Sequence, residues 1–328
     1  DAMGGDHGPK EVIPAALQSL NQHPQLNIIL VGDEETIFKI LSEHSGQNHE
    51  RLSIRHATEV VEMHESPSLA LRNKKDSSMR VAINLVKDGA AHACVSAGNT
   101  GALMATAKFV LKMLPGIDRP AIIAELPSMT GLVHMLDLGA NTQASADHLF
   151  QYAVMGSIVA TDVAGIEPPR IGLLNIGAED IKGHETVREA AVMLTDSTLN
   201  YVGFIEGTDL TSGKVDVVVT DGFTGNVALK TMEGTVILGK HFLARAFKRN
   251  WLTKLQALLA GSVLRNLSAE MDSRNYNGAT LAGLNGIVIK SHGGADAYAF
   301  QHAIDTAVVE VRNQLPKQIG TLLQKETA

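Results

Sequence analysis

Six times along this chain a short apolar run ends in a small polar turn containing glycine, and a helical pattern follows at once. The turns are VGDEE (31–35), SAGNTG (96–101), DLGAN (137–141), NIGAED (175–180), DGFTGN (221–226) and KSHGGAD (290–296). A seventh turn, DAMGGD, opens the sequence. This order of strand, turn and helix constrains the fold more than composition does, because parallel strands need a crossover that is usually a helix. Strand signals fall at 26–31, 52–55, 93–96, 121–125, 133–138, 171–175, 201–205, 215–220 and 287–289. Most are apolar throughout, as strands covered on both faces are. Helical patterns occupy Pro9–Leu20, Glu34–Glu43, Ser77–Lys87, Thr100–Met113, Ala146–Val163 and Gly225–Phe242. The expected fold is α/β: a doubly wound, mostly parallel sheet in three α/β/α layers, with residues 1–328 as a single domain. Because the chain starts inside a turn, a strand before residue 1 is expected at the sheet's centre. Strand-end turns of such sheets bind ligands, and the helix N-termini that follow favour anions. All seven turns are therefore read as one rim.

One interval breaks the rhythm. Between Asp221 and Ile287 about 65 residues carry no strand signal, more than one crossover helix requires. A helical segment at 243–275 is expected to protrude. Within it Phe247, Trp251, Leu252, Leu255, Leu258, Leu259 and Val263 recur at helical spacing, with Lys248, Arg249, Lys254 and Arg265 among the polar positions. The segment either packs on its own domain or a dimer partner, or rests as an amphipathic helix on an anionic membrane surface. The net charge of −7 argues against nucleic acid as the main partner, since phosphate backbones are gripped by clustered Lys and Arg. No apolar run approaches the roughly 18 to 20 residues of a spanning helix. A cytoplasmic protein is expected. The single cysteine, Cys94, excludes a disulfide framework and is expected to pack in the core. With no HExxH and no Cys/His cluster, neither a metal nor another cofactor is expected.

The turns carry the chemistry. In DAMGGD, Gly4 and Gly5 let backbone approach a ligand, beside Asp6 and ahead of a helix. The stretch 65–80 concentrates Arg72, Lys74, Lys75 and Ser77, a set suited to phosphate or an acidic carrier, or simply a solvated basic loop. In SAGNTG, Ser96, Gly98, Asn99, Thr100 and Gly101 offer side-chain and backbone donors for an anion or oxyanion, although Asn99 or Thr100 also suits a helix cap. Asn141, Asn175, Lys182, Asp221 and Asn226 are assigned to the same rim, with Lys290, Ser291 and His292 from the last turn. Of the 13 histidines, His292 has the best claim to chemistry, ending a strand between Ser and Gly.

In order, DAMGGD, the R-x-K-K-x-S-S segment, SAGNTGALMA, DLGAN, NIG-x-E-x-x-KG, TDGFTGN-x-x-LK-x-x-EG and IKSHG-x-AD resemble the bacterial phosphate acyltransferase family, from Asp1 to about Leu315. ATLAGLNG (279–286) departs from the Leu-Leu-Gly run more common in that family. The resemblance implies a fold similar to isocitrate and isopropylmalate dehydrogenases and to phosphotransacetylase. It also implies a homodimer that moves a fatty acyl group from acyl carrier protein to inorganic phosphate. The acyl phosphate would then pass to a membrane glycerol-3-phosphate acyltransferase in phospholipid synthesis, which suits peripheral association with the inner face of the cell membrane. On this reading His292, Asn226, Lys182 and Asn99 surround the reacting centre, and Trp251, Leu252, Leu255, Leu258 and Leu259 contact the membrane or a partner. A dehydrogenase lacks a G-x-G-x-x-G fingerprint and a compact metal-binding carboxylate cluster here, and a peripheral membrane scaffold that binds acyl carrier protein through the 247–265 helix leaves the polar turns without a purpose.

Overall fold

The computed structural model describes residues 1–44 and 49–326. Among them are ten strands and twelve α-helices. Strands β1 (Ile28–Gly32) and β2 (Leu52–His56) pair in parallel as a two-stranded sheet. The other eight are β3 (Ala93–Ser96), β4 (Ala121–Ser128), β5 (Gly131–Leu136), β6 (Ile171–Leu174), β7 (Tyr201–Ile205), β8 (Val217–Val219), β9 (Ala279–Ala282) and β10 (Ile287–Lys290). They form one sheet in the order β3-β10-β9-β4-β5-β8-β6-β7. The first two residues lie between the sheets: the Asp1 ammonium donates to the Val95 carbonyl at 3.1 Å and the Ala2 N–H to that of Val31 at 2.9 Å.

The pairings are parallel at both ends of the larger sheet and antiparallel in its middle, where β10 meets β9, β9 meets β4, and β4 meets β5. The tight β4–β5 hairpin and strand β9 are the main departures from the expected order. ATLA is short, only weakly apolar and fenced by Gly278 and Gly283, so it gives little strand signal. Apolar runs also carry no information about direction. The consequence is large: β3, β10 and β4 run one way, and β9, β5, β8, β6 and β7 run the other.

Alternate residues of each strand face opposite layers. On one face Ile123, Leu136, Val219 and Leu173 pack with α6 (Ala146–Ala164), α7 (Glu185–Thr195) and α12 (Leu315–Glu326). On the other face Val288 and Leu281 pack with α4 (Ser78–Lys87) and α5 (Thr100–Leu111), while Ile122, Met135 and Val218 pack with α8 (Gly222–Phe247). Cys94 is buried in this core, where burial pushes its thiol up from the ordinary range. The sequence patterns for α4, α5 and α6 stand within two residues of the observed helices, whereas α8 is longer at both ends.

Only the start of α8 is anchored. Gly222 and Gly225 are buried, and Ala228, Leu229 and Met232 pack against the sheet. Beyond them Ile237, Leu238 and Phe242 are exposed, and α9 (Trp251–Leu259) and α10 (Gly261–Glu270) bury no residue at all. Trp251, Leu258 and Leu259 are each more than three-quarters exposed, at 76%, 76% and 78%. The segment therefore does not pack on the body of its own chain.

Helix α11 (Ala297–Arg312) places Glu310 under the antiparallel centre, fully buried, where it accepts a hydrogen bond from Thr280. Burial pushes its carboxyl up to about 8, with the nearby Glu125 adding to the effect. The acid is thus protonated in the folded protein at pH 7, while the unfolded chain, near 4.5, releases the proton. This contribution to stability is full below the unfolded value and is lost as pH rises toward 8. The unfolding free energy, read by urea titration, is expected to fall between pH 5 and 8, by something on the order of 4 kcal/mol at most. Glu310→Gln is expected to flatten that slope and exceed the parent's midpoint at pH 8; an unchanged slope would contradict the assignment.

Candidate functional site

Three turns meet at the carboxyl ends of β3 and β10. Asp1 holds them together: one carboxylate oxygen accepts from Ser96 Oγ at 2.6 Å and the other from the Met3 N–H at 3.2 Å. Ser96, fully buried, accepts in turn from the Gly98 N–H at 3.1 Å. Any side chain at Gly4 would collide with Asp1 and with the Gly98 backbone, so glycine there is a requirement of close approach. Gly5, at φ +90°, lies against Ala97 and the Gly293 carbonyl, and the next N–H, Asp6, donates to that carbonyl at 2.8 Å. DAMGGD, SAGNTG and KSHGGAD are thus one packed unit.

The expected donors in this unit divide into scaffold and surface. Asn99 caps α5, accepting from the Ala102 N–H at 3.0 Å, and its amide donates to the carbonyls of Met63 at 2.7 Å and Glu65 at 3.0 Å. These bonds hold the 62–65 loop against the α5 N-terminus. Gly101 packs against Pro67, and Thr100 is exposed at the first position of α5. The first-turn N–H groups of a helix have no partner within it; in α5 Asn99 takes that of Ala102, and Thr100 stands exposed beside it. Lys290 is buried; its ammonium donates to the carbonyls of Ala97 and Ser291, and burial lowers it to about 8 while Asp6 opposes the shift. Ser291 is buried and accepts from Asn277 Nδ2 at 2.8 Å.

His292 is the exposed member. Its backbone N–H donates to Asn277 Oδ1 at 2.8 Å, and its Nδ1 accepts from the Gly294 N–H at 3.1 Å. A ring nitrogen that accepts carries no proton, so the neutral imidazole has its N–H on Nε2. Asn277 escapes sequence reading because it sits in a stretch without strand signal. Arg274 escapes likewise: it bridges Asp272 at 2.6 Å and Asp296 at 2.8 Å, and those two carboxylates raise its already high pKa. Asp296 caps α11 through the Ala299 N–H at 2.9 Å.

The basic stretch before α4 is mixed in purpose. Ser77 is buried and caps α4, and Lys74 pairs with Glu65 at 2.7 Å. Arg72, near the end of helix α3 (Pro67–Asn73), and Lys75 are exposed.

Three of the remaining turns, DLGAN, DGFTGN and NIGAED, form a second group at the carboxyl ends of β5, β8 and β6, while VGDEE follows β1 in the smaller sheet. Asp137, fully buried, accepts from the N–H groups of Ile122 at 3.0 Å, Ala140 at 3.0 Å and Asn141 at 2.7 Å, and from Asn141 Nδ2 at 3.0 Å. Desolvation outweighs these bonds and raises its pKa. Asn141 also donates to the Pro120 carbonyl at 2.7 Å, and its own carbonyl accepts from the Gly222 N–H at 2.8 Å. Asp221 caps α8 through the Thr224 N–H at 2.8 Å. Asn175 Nδ2 donates to the Lys182 carbonyl at 3.1 Å, closing the NIGAEDIKG loop. These three residues support backbone; the side chains turned outward are Asn226, beside Gly139, and Lys182, which pairs loosely with Glu179 at 3.1 Å.

The single rim expected from the sequence is therefore two groups. Opposed strand directions send the ends of β3 and β10 to one edge of the sheet and those of β5, β8 and β6 to the other.

Comparison with known proteins agrees with the order of motifs. The profile of the family described as "Fatty acid synthesis protein" matches residues 1–318. A phosphate acyltransferase of Alkalilimnicola ehrlichii is 59% identical over 324 residues, 99% of this chain and 95% of the relative. One of Methylococcus capsulatus is 59% identical over 320 residues, covering 98% and 94%. Among solved structures, a phosphotransacetylase from Streptococcus pyogenes superposes with a TM-score of 0.63 at 17% identity, over 92% of this chain and 91% of the other. The EutD phosphotransacetylase of Staphylococcus aureus gives 0.56 at 16% identity, over 92% and 90%. Likeness at that identity establishes the three-layer α/β/α fold alone. The near-complete matches at 59% identity and the profile across 1–318 establish more: the chain belongs to the phosphate acyltransferase family of fatty acid synthesis proteins.

Proposed function

We propose that this protein transfers a fatty acyl group from acyl carrier protein to inorganic phosphate, and that the acyl phosphate feeds glycerol-3-phosphate acylation. The observation that supports this reading is the unit of DAMGGD, SAGNTG and KSHGGAD, which packs the turn bearing the exposed His292 against the turn that opens α5. One end of that arrangement suits an anion and the other a developing oxyanion. Phosphate attacks the thioester carbonyl carbon, a C–O bond forms, and the carbonyl oxygen takes up negative charge. Collapse of this tetrahedral species breaks the C–S bond, and the carrier thiolate leaves and takes a proton. His292 Nε2–H donates to the oxyanion or to the leaving sulfur. Phosphate is already a competent nucleophile, so positioning can supply the main acceleration, about 7 to 11 kcal/mol in well-oriented cases. The α5 N-terminus and the DAMGGD backbone receive the phosphate, with Arg72 and Lys75 drawing it in.

Acyl carrier proteins are acidic, and so is this chain, with its net charge of −7; docking therefore needs local positive charge. Lys182 and the exposed Lys248, Arg249, Lys254 and Arg265 supply it. The apolar face of α9 and α10 rests on an anionic membrane, delivering a product with a long acyl chain where a membrane acyltransferase can take it. No described helix is long and apolar enough to cross a membrane, so the contact is peripheral. The protein acts as a homodimer.

His292→Ala is expected to lower phosphate-dependent release of carrier thiol at least about tenfold, some 1.4 kcal/mol of transition-state stabilisation. A change within about threefold would remove His292 from the chemistry. Replacing Trp251 and Leu255 with Glu is expected to abolish flotation with anionic vesicles; undiminished flotation would remove the membrane contact.

A further inference from the structure

Charge is spread unevenly along this chain. Residues 66–117 carry seven Lys and Arg against two Asp and no Glu, within a chain of net charge −7. Helices α3, α4 and α5, which fall in this stretch, contain no acidic residue. Of the two acids, Asp76 accepts from Thr58 Oγ1 at 2.6 Å and from the Thr58 N–H at 2.9 Å, and Asp88 follows the last turn of α4. Among the described residues Lys74 is the one cation of the stretch in an ion pair, with Glu65.

The outer faces of α4 and α5 meet at Phe109. Its ring is 54% exposed, with the Arg80 guanidinium 5.1 Å and the Lys112 ammonium 4.8 Å from the centroid. Arg80 Nε donates to Asn84 Oδ1 at 3.4 Å, which lays the guanidinium along α4. Lys108, next to Phe109, is exposed, and its ammonium reaches the Asp118 carbonyl at 3.2 Å. An exposed aromatic ring set between cations is the kind of anchor that dominates protein interfaces.

This face also lies within reach of the first group of turns. Phe109 is nine residues from Thr100, about 14 Å along the helix from the α5 N-terminus. Beside α5, Leu69 of α3 is exposed, and the exposed Met63 packs against Gly293, the neighbour of His292.

We propose that the outer face of α4 and α5, centred on Phe109, docks an acidic carrier protein. The identity of that partner rests on the proposed acyl transfer. Acidic side chains of the carrier meet Arg80, Lys108 and Lys112, and an apolar side chain covers Phe109. The carrier's flexible prosthetic arm then runs past Leu69 and Met63 to present its thioester at the His292 turn. This local positive field overcomes the repulsion between two acidic proteins and adds to that of Lys182 and the tip. A lipid surface fits less well, because Phe109 is the one large apolar side chain that α4 and α5 expose, and lipid contact needs a broad apolar face.

The test measures binding of carrier protein that lacks its prosthetic arm, by titration calorimetry without phosphate. Reversal of the three charges in one chain, Arg80→Glu with Lys108→Glu and Lys112→Glu, is expected to weaken binding at least about tenfold. The charge-keeping set Arg80→Lys, Lys108→Arg and Lys112→Arg is expected to stay within about threefold of the parent, whose affinity falls as salt rises. Phe109→Ala, which leaves every charge in place, is expected to weaken binding by about threefold or more. In turnover, the reversed variant is expected to raise KM for the acyl carrier protein while kcat, and release of the same acyl group from free pantetheine, stay at the parent's level.

Parent-like binding by both the reversed variant and Phe109→Ala would overturn the docking face. So would an equal loss with the pantetheine thioester, which has no carrier to dock, or a loss of flotation with anionic vesicles while carrier binding is kept. Carrier binding that depends on this face, in a parent that releases no thiol with phosphate, would instead count against acyl transfer alone.

Discussion

Three antiparallel pairings at the middle of the sheet, β10 with β9, β9 with β4, and β4 with β5, decide where each functional turn can lie. Had every strand run parallel, all the glycine-bearing turns would open on one edge, as in a simple doubly wound sheet. The reversal gives each edge its own set. The same centre holds the buried Thr280–Glu310 pair and packs the start of α8 against Ile122 and Met135. Geometry here precedes chemistry: a lysine and a histidine of similar promise in the sequence end on opposite edges because one four-residue strand and one hairpin reverse the chain.

Within the first group, rigidity comes from buried polar contacts rather than from the loops themselves. Asp1 to Ser96, Ser96 to Gly98, and Asn277 to both Ser291 and His292 fix backbone that would otherwise be free. Groups buried this way are costly to leave unpaired, so the turns hold one conformation. The exposed imidazole of His292 accepts from the Gly294 N–H, within a turn that Asn277 holds in place. In the second group Asp137 plays the corresponding part, joining β4, the DLGAN turn and, through Asn141, the first residue of α8.

Much of this was legible in the sequence. The apolar runs located nearly every strand, the Pro9 start and the Asn99 cap announced their helices, and the turns named the polar residues. What the sequence could not convey was direction and partnership. ATLA at 279–282 is too short and too weakly apolar to declare itself, so the reversal it takes part in stayed hidden, and with it the division of the rim. Asn99, Ser77 and Asn141 look like ligands by composition, but their side chains are occupied by backbone groups, a fact visible only in three dimensions. Asn277 and Arg274 left no mark because a positioning side chain has no spacing rule. The α9 pattern was clear, but only the structure separates it from the body of its own chain.

The proposed transfer draws on three features: the α5 N-terminus, an imidazole whose Nδ1 accepts from the Gly294 N–H, and an exposed apolar tip at α9. In that proposed transfer inorganic phosphate itself is the nucleophile on the carrier thioester. The most direct measurement incubates the protein with acyl carrier protein bearing a fatty acyl thioester and with inorganic phosphate, then follows the phosphorus resonance of an acyl phosphate and traps it with hydroxylamine. The expected result is an acyl phosphate signal that scales with enzyme and phosphate and yields the acyl hydroxamate. Thioester cleavage that proceeds equally without phosphate, or yields only free fatty acid, would contradict it.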